Sequence, residues 1–212
     1  MLVFIFKKTK IMKTRFFLTM IAAAFGLVSF MQVDPLAIGS VLPKSDKKLT
    51  DISGKVTTLK EAVGKNGLLV MFSCNTCPVV IKNQERASAI CSYAQKNNLG
   101  VIVVNSNEAN RDSEESLDAM KSYAAEQKYN WKYVVDSESE LANAFGASRT
   151  PECFLFDKNQ KLVYHGAIDN NPGDESSVTR KHLQIAIDEL TTGKDISVKE
   201  TKSVGCGIKR KG

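Results

Sequence analysis

Two continuous apolar runs, Leu68-Leu69-Val70-Met71-Phe72 and Val101-Ile102-Val103-Val104, limit what this chain can become. A strand without polar alternation has to be covered on both faces, as in a parallel sheet. Between the runs, residues from about 77 to 95 read as a helix, stopped at Asn97-Asn98-Leu99-Gly100. Strand, crossover helix and strand make a right-handed parallel unit.

The periods continue downstream. Ser116 to Gln127 sets Leu117, Met120 and Ala124 on one helical face. Lys132 to Val135 and Glu138 to Phe145 read as a short strand and helix. Cys153 to Phe156 and Leu162 to Tyr164 flank the turn Asp157-Lys158-Asn159-Gln160 and read as a hairpin. Arg180 to Leu190 is the last amphipathic helix. Upstream, strand candidates at 49–51 and 55–58 form an N-terminal hairpin. The pattern predicts an α/β fold: a central mixed sheet of four or five strands with helices on both faces, plus the hairpin and a short βα insertion.

Residues 1–33 stand apart. Met12-Lys13-Thr14-Arg15 is positive, and Phe16 to Met31 is apolar but for Thr19, Gly26 and Ser29. The segment reads as an export signal, either cleaved or kept as a membrane anchor. The expected location is therefore periplasmic, or anchored to the outer face of the inner membrane. This segment also carries five basic and no acidic residues of a chain whose net charge is +6. The remainder holds 24 basic against 23 acidic residues, so its charge implies no nucleic-acid partner. Residues 34–198 form the expected domain, and 199–212 a solvated basic tail that contains Cys206.

Cys74 and Cys77 lie in Phe72-Ser73-Cys74-Asn75-Thr76-Cys77-Pro78, where the first apolar strand gives way to a helix. Unpaired amides and the helix dipole favour a thiolate there, and the thiolate is the attacking species. Projected at about 100° per residue, Val80, Ala87, Ile90, Cys91 and Ala94 face the sheet, with Cys77 at the edge of that arc and Cys74 beyond it. Cys74 is thus the expected attacking sulfur and Cys77 the resolving one. Haem attachment would need a His where Pro78 stands. A zinc site needs two further ligands, and the chain has only His165 and His182 and no second CxxC. No metal or other cofactor is expected.

Arg149-Thr150-Pro151 precedes a strand, where proline is confined to the start. A cis bond there would free the Thr150 backbone to pair with an incoming chain beside the cysteines, so Thr150 and Pro151 are the expected substrate-binding residues.

Taken with Val104-Asn105-Ser106-Asn107, Thr150 to Asp157, Leu162 to Asp169 and Gly205-Cys206-Gly207-Ile208, the motif makes residues 37 to 208 resemble a thioredoxin-fold redoxin. The resemblance is to the peroxiredoxin-like subgroup of the alkyl hydroperoxide reductase/thiol-specific antioxidant superfamily. It implies a thioredoxin-like fold and supports the cis bond at Pro151. Two features depart from the pattern. The threonine three residues before a peroxiredoxin cysteine is replaced by Cys74 or Met71, depending on which cysteine is aligned. The buried aspartate that thioredoxins carry six residues before the motif is Leu68. Glu152 is nominated as a substitute proton carrier, against the alternative of a solvated strand-edge acid. Cys91 and Cys153 are expected as core thiols, and Cys206 is nominated as a third redox cysteine, against the alternative of a merely exposed or partnered thiol.

The leading expectation is an exported thiol–disulfide oxidoreductase acting on protein thiols or disulfides, recharged by an unidentified thiol donor. Alternatives are a thiol peroxidase, and a chaperone holding a soft ion such as copper between thiolates.

Overall fold

In the computed structural model, which describes residues 34–211, the chain enters the sheet at its edge. Residues 1–33, read from the sequence as an export signal or anchor, lie outside the described residues. β1 (Leu49–Asp51) and β2 (Val56–Thr57) pair as an antiparallel hairpin. The one-turn helix α1 (Leu59–Ala62) follows, started by a reciprocal cap between Thr58 and Glu61. β3 (Gly67–Ser73) is buried at every residue and runs into α2 (Pro78–Lys96). Pro78 sits where a missing amide hydrogen costs nothing.

β4 (Leu99–Asn105), α3 (Leu117–Glu126, capped by the Ser116 hydroxyl), β5 (Lys132–Val135) and α4 (Glu140–Phe145) come next. β6 (Arg149–Thr150), β7 (Glu152–Asp157) and β8 (Leu162–Gly166) surround Pro151 and the hairpin turn. α5 (His182–Thr191) and the two-residue β9 (Cys206–Gly207) complete the order.

The sheet has seven strands in the order β2-β1-β5-β4-β3-β7-β8, more than the four or five expected. The difference is the N-terminal hairpin: β1 pairs antiparallel with β5, Thr50 opposite Val135, and extends the central sheet. β3 and β4 are parallel, as are β4 and β5, while β7 runs antiparallel to β3 over Gly67–Phe72.

Alternation along β3 explains why its run is wholly apolar. Leu69 and Met71 enter a core with α2, α3 and α5, which includes Cys91, Met120, Tyr133, Cys153 and Leu183. Leu68, Val70 and Phe72 enter a second core under α1 and α4, with Leu59, Phe145, Phe154 and Phe156. Both faces are covered, which fixes β3 firmly and with it the position of the turn that follows. Cys91 and Cys153 are free thiols in the first core. Burial pushes the Cys91 thiol up to about 12, so it stays protonated and inert at neutral pH.

The tail keeps Lys199, Lys202, Lys209 and Lys211 exposed but is docked on the domain by other residues. Ile208 is buried in the second core, and Thr201 bridges the Tyr164 hydroxyl and the Ala167 amide. Among the described residues no helix is long and apolar enough to cross a membrane.

Candidate active site

Cys74 lies just past the C-terminal end of β3, and Cys77 is the residue immediately before α2. Thr150, the last residue of β6, faces both. Its hydroxyl is 3.3 Å from the Cys74 sulfur, and its carbonyl oxygen is 3.5 Å from the Cys77 sulfur. The Thr150–Pro151 bond is cis, as expected. The backbone amides of Thr76 and Cys77 also point at the Cys74 sulfur, giving it the helix-terminal environment foreseen from the sequence.

The Thr150 edge, expected to be open to an incoming chain, is occupied by the protein's own tail. β9 pairs antiparallel with β6, Thr150 opposite Cys206 and Arg149 opposite Gly207. Cys206 forms a disulfide with Cys77 across 129 residues, with the two Cα atoms 6.0 Å apart. Cys74 is left as a free, buried thiol. The tail is anchored on both sides of Cys206. Arg149 donates to the Gly205 carbonyl, and the Ile208 amide donates to Ser148. The Lys209 amide donates to Asn107, and Arg210 donates to Asn143 and to the Ala147 carbonyl.

Gly205 makes this approach possible. A Cβ there would lie 2.0 Å from the Thr150 carbonyl oxygen, so no other residue fits without lifting the strand.

Glu152 is not a solvated strand-edge acid. It is 3% exposed; one oxygen accepts the Ser148 and Arg149 amides, and the other pairs with the His165 ring at 2.7 Å. These contacts hold the turn that leads into Thr150.

The carboxylate that touches the motif is Glu115, which the sequence reading did not single out. It is fully buried. Both its oxygens accept the Asn75 amide, at 3.0 and 3.2 Å. One also accepts the Thr76 hydroxyl at 3.0 Å, and the other the Asn105 side chain at 2.6 Å. Asn107 reaches the same carboxylate and, through its own oxygen, the Lys209 amide of the tail. Its signal in the sequence is only the neighbouring Asn105-Ser106-Asn107 run, since a carboxylate between a strand and a helix ordinarily faces water.

These surroundings hold the Cys74 thiol above its ordinary value. Burial is the largest cause, and the nearby Glu115 charge adds to it. The Thr150 hydroxyl and the two amides pull the other way without cancelling it. A raised thiol is mostly protonated at neutral pH, and alkylation needs the thiolate. With the tail disulfide closed, alkylation of Cys74 by iodoacetamide should therefore be slow at neutral pH and rise only above the ordinary value of 9.0. Glu115→Gln removes one raising cause and should move this pH profile downward. A profile that stays in place would show that the Glu115 charge does not act on Cys74.

The site residues expected from sequence are thus brought together, except that Glu152 acts on the turn beside the pair. Among the described residues, no group of three or more His, Cys, Asp or Glu side chains is arranged to hold a metal ion.

Comparison with known proteins agrees with this architecture. A family profile described as Redoxin matches residues 37–182. The thiol-disulfide oxidoreductase ResA of Geobacillus thermodenitrificans (strain NG80-2) is 24% identical over 160 residues, 74% of this chain and 86% of that protein. The crystal structure of a hypothetical protein from Sinorhizobium meliloti 1021 superposes with a TM-score of 0.75 at 32% identity, covering 84% of this chain and 97% of that one. That of an uncharacterized conserved protein from Geobacillus kaustophilus gives 0.77 at 31% identity, covering 82% and 93%.

Proposed function

The chain belongs to the redoxin family, an oxidoreductase on a thioredoxin-like scaffold, and from that premise we propose that it is an exported thiol–disulfide oxidoreductase acting on protein thiols through Cys74 and Cys77. Cys74 attacks a partner disulfide, Cys77 resolves the mixed disulfide, and Thr150-Pro151 orients the partner chain. A thiol donor outside the protein then returns the pair to its reduced state. Export rests on the basic-then-apolar character of residues 12–31.

One observation carries the reading. The edge on which both motif sulfurs rest holds an extended peptide segment whose cysteine is in disulfide linkage with the motif. A surface that accommodates the tail in this way has the shape and the backbone partners to hold a cysteine-bearing chain from another protein. Burial and the Glu115 charge hold the Cys74 thiol above its ordinary value while the tail is docked, and the Thr150 hydroxyl and the amides of Thr76 and Cys77 are the groups that favour its thiolate. With the tail docked that sulfur is capped, so attack belongs to the form in which the tail has lifted.

The test is covalent trapping in the exported fraction. Cys77→Ser combined with Cys206→Ser leaves Cys74 without a resolving partner and should accumulate mixed disulfides with other proteins. Cys74→Ser should not. Equal accumulation in both, or none in either, would overturn the assignment.

A further inference from the structure

We propose that Cys206 is a third catalytic cysteine, which draws the disulfide off the motif after each attack and so restores Cys74. The proposal rests on the oxidoreductase reading above and extends it by one intramolecular step. The Cys206 thiolate attacks the Cys77 sulfur of a Cys74–Cys77 disulfide. The Cys77–Cys206 bond forms as the Cys74–Cys77 bond breaks, and the electron pair leaves on the Cys74 sulfur. Cys206 has given up one proton and Cys74 takes one up, so the step is an exchange that needs no outside oxidant.

Four features of the fold support this. Cys206 is already bonded to Cys77, while Cys74 is left as a thiol beside it. The tail is held in register by the β6–β9 pairing and by the contacts at Arg149, Ser148 and Asn107, so the attacking sulfur is delivered and not left to diffuse. The departing Cys74 sulfur meets the amides of Thr76 and Cys77 and the Thr150 hydroxyl, which receive the charge as it develops. Burial and the Glu115 charge then favour its protonation, which opposes the reverse attack. The other titratable groups around this pocket are Tyr123 on α3 and Tyr133 on β5, both raised chiefly by burial and neutral at working pH, and the Arg111 guanidinium, which binds the Glu115 and Asn105 carbonyls.

The exchange also moves the disulfide outward. Cys74 and Cys77 are buried, whereas Cys206 is only partly so, and an external thiol donor meets the bond at the Cys206 sulfur. Attack there joins the donor sulfur to Cys206 and releases Cys77 at the start of α2, where a thiolate leaves readily. A second donor thiol then takes the first off Cys206 as a donor disulfide.

The experiment starts from the reduced full chain, mixed with less than one equivalent of a disulfide-bonded protein, quenched in acid, alkylated and mapped by peptide mass spectrometry. The wild type should pass from Cys74–Cys77 to Cys77–Cys206, and Cys206→Ser should stop at Cys74–Cys77. With reduced glutathione as donor, Cys206→Ser should keep the first turnover and lose steady-state rate by about tenfold or more, the least a tethered thiol would contribute. Gly205→Val keeps the Cys206 thiol but displaces the strand that carries it, and should behave like Cys206→Ser. A wild-type chain that stays at Cys74–Cys77, or a Cys206→Ser variant that turns over as fast as wild type, would overturn the relay. A wild-type chain with no first turnover would overturn the oxidoreductase reading as well.

Discussion

Cys77→Ser should remove the motif's resolving step and the long cross-link in one substitution. A serine hydroxyl neither resolves a mixed disulfide nor accepts Cys206; with Cys206→Ser added, so that no second thiol stands beside Cys74, reduction of a disulfide-linked fluorogenic peptide should fall by about a thousandfold or more, the order lost when a catalytic nucleophile is removed. Stability should change only in the oxidised form. The Cys77–Cys206 bond spans 129 residues, and closing a loop of that length stabilises a folded chain by about 5 kcal/mol in the chain-entropy account. Urea titration of oxidised wild type against oxidised Cys77→Ser should show that difference, and titration of the reduced proteins should not. Cys206→Ser is the control: it loses the same long loop but retains Cys74 and Cys77. If oxidised Cys77→Ser matches oxidised wild type, the tail bond contributes nothing to the fold.

The second large effect is expected in the second core, apart from the cluster that holds the motif cysteines. Phe154 lies in the middle of β7, fully buried, opposite Val70 of β3. Its ring meets Phe145 and Phe72 edge-on at 5.1 and 5.6 Å and stacks on the His165 ring at 4.4 Å. Phe154→Ala removes that packing from a core that collapses only in part, at a cost of about 3–5 kcal/mol. It also loosens His165, whose bond to Glu152 steadies the turn before Thr150. The measurement is denaturant unfolding with the slope unchanged and the midpoint lowered. Ile81→Ala, on the exposed face of α2, should stay within about 0.5 kcal/mol of wild type. A Phe154→Ala change as small as that of Ile81→Ala would mean that the aromatic cluster is not a tight core.

Much of this arrangement is legible along the chain because local chemistry carries it. The run Leu68–Phe72 reads as a doubly covered strand and is one, and the spacing of Val80, Ala87, Ile90, Cys91 and Ala94 names the buried face of α2. Two polar members of that face, Asn83 and Gln84, are missed. Beside local partners at Val79 and Ser88, they bond to Pro172, Tyr123 and Tyr129, all distant in sequence. Glu115 is missed for the same reason: its donors come from Asn75 and Thr76 on one segment and from Asn105 and Asn107 on another. The tail is the hardest feature to foresee. A two-residue strand has no period, and its pairing with Arg149–Thr150 is decided by Gly205, Ile208 and Arg210 finding surfaces that exist only once the rest has folded.

The docked β9 strand gives any outside protein a permanent rival for the Thr150 edge. A segment tethered to its own site competes at an effective concentration on the order of millimolar. A visiting cysteine therefore engages the motif only if its own chain binds that edge well enough to outlast the resident one, and the many stray thiols that meet the surface in passing are turned away.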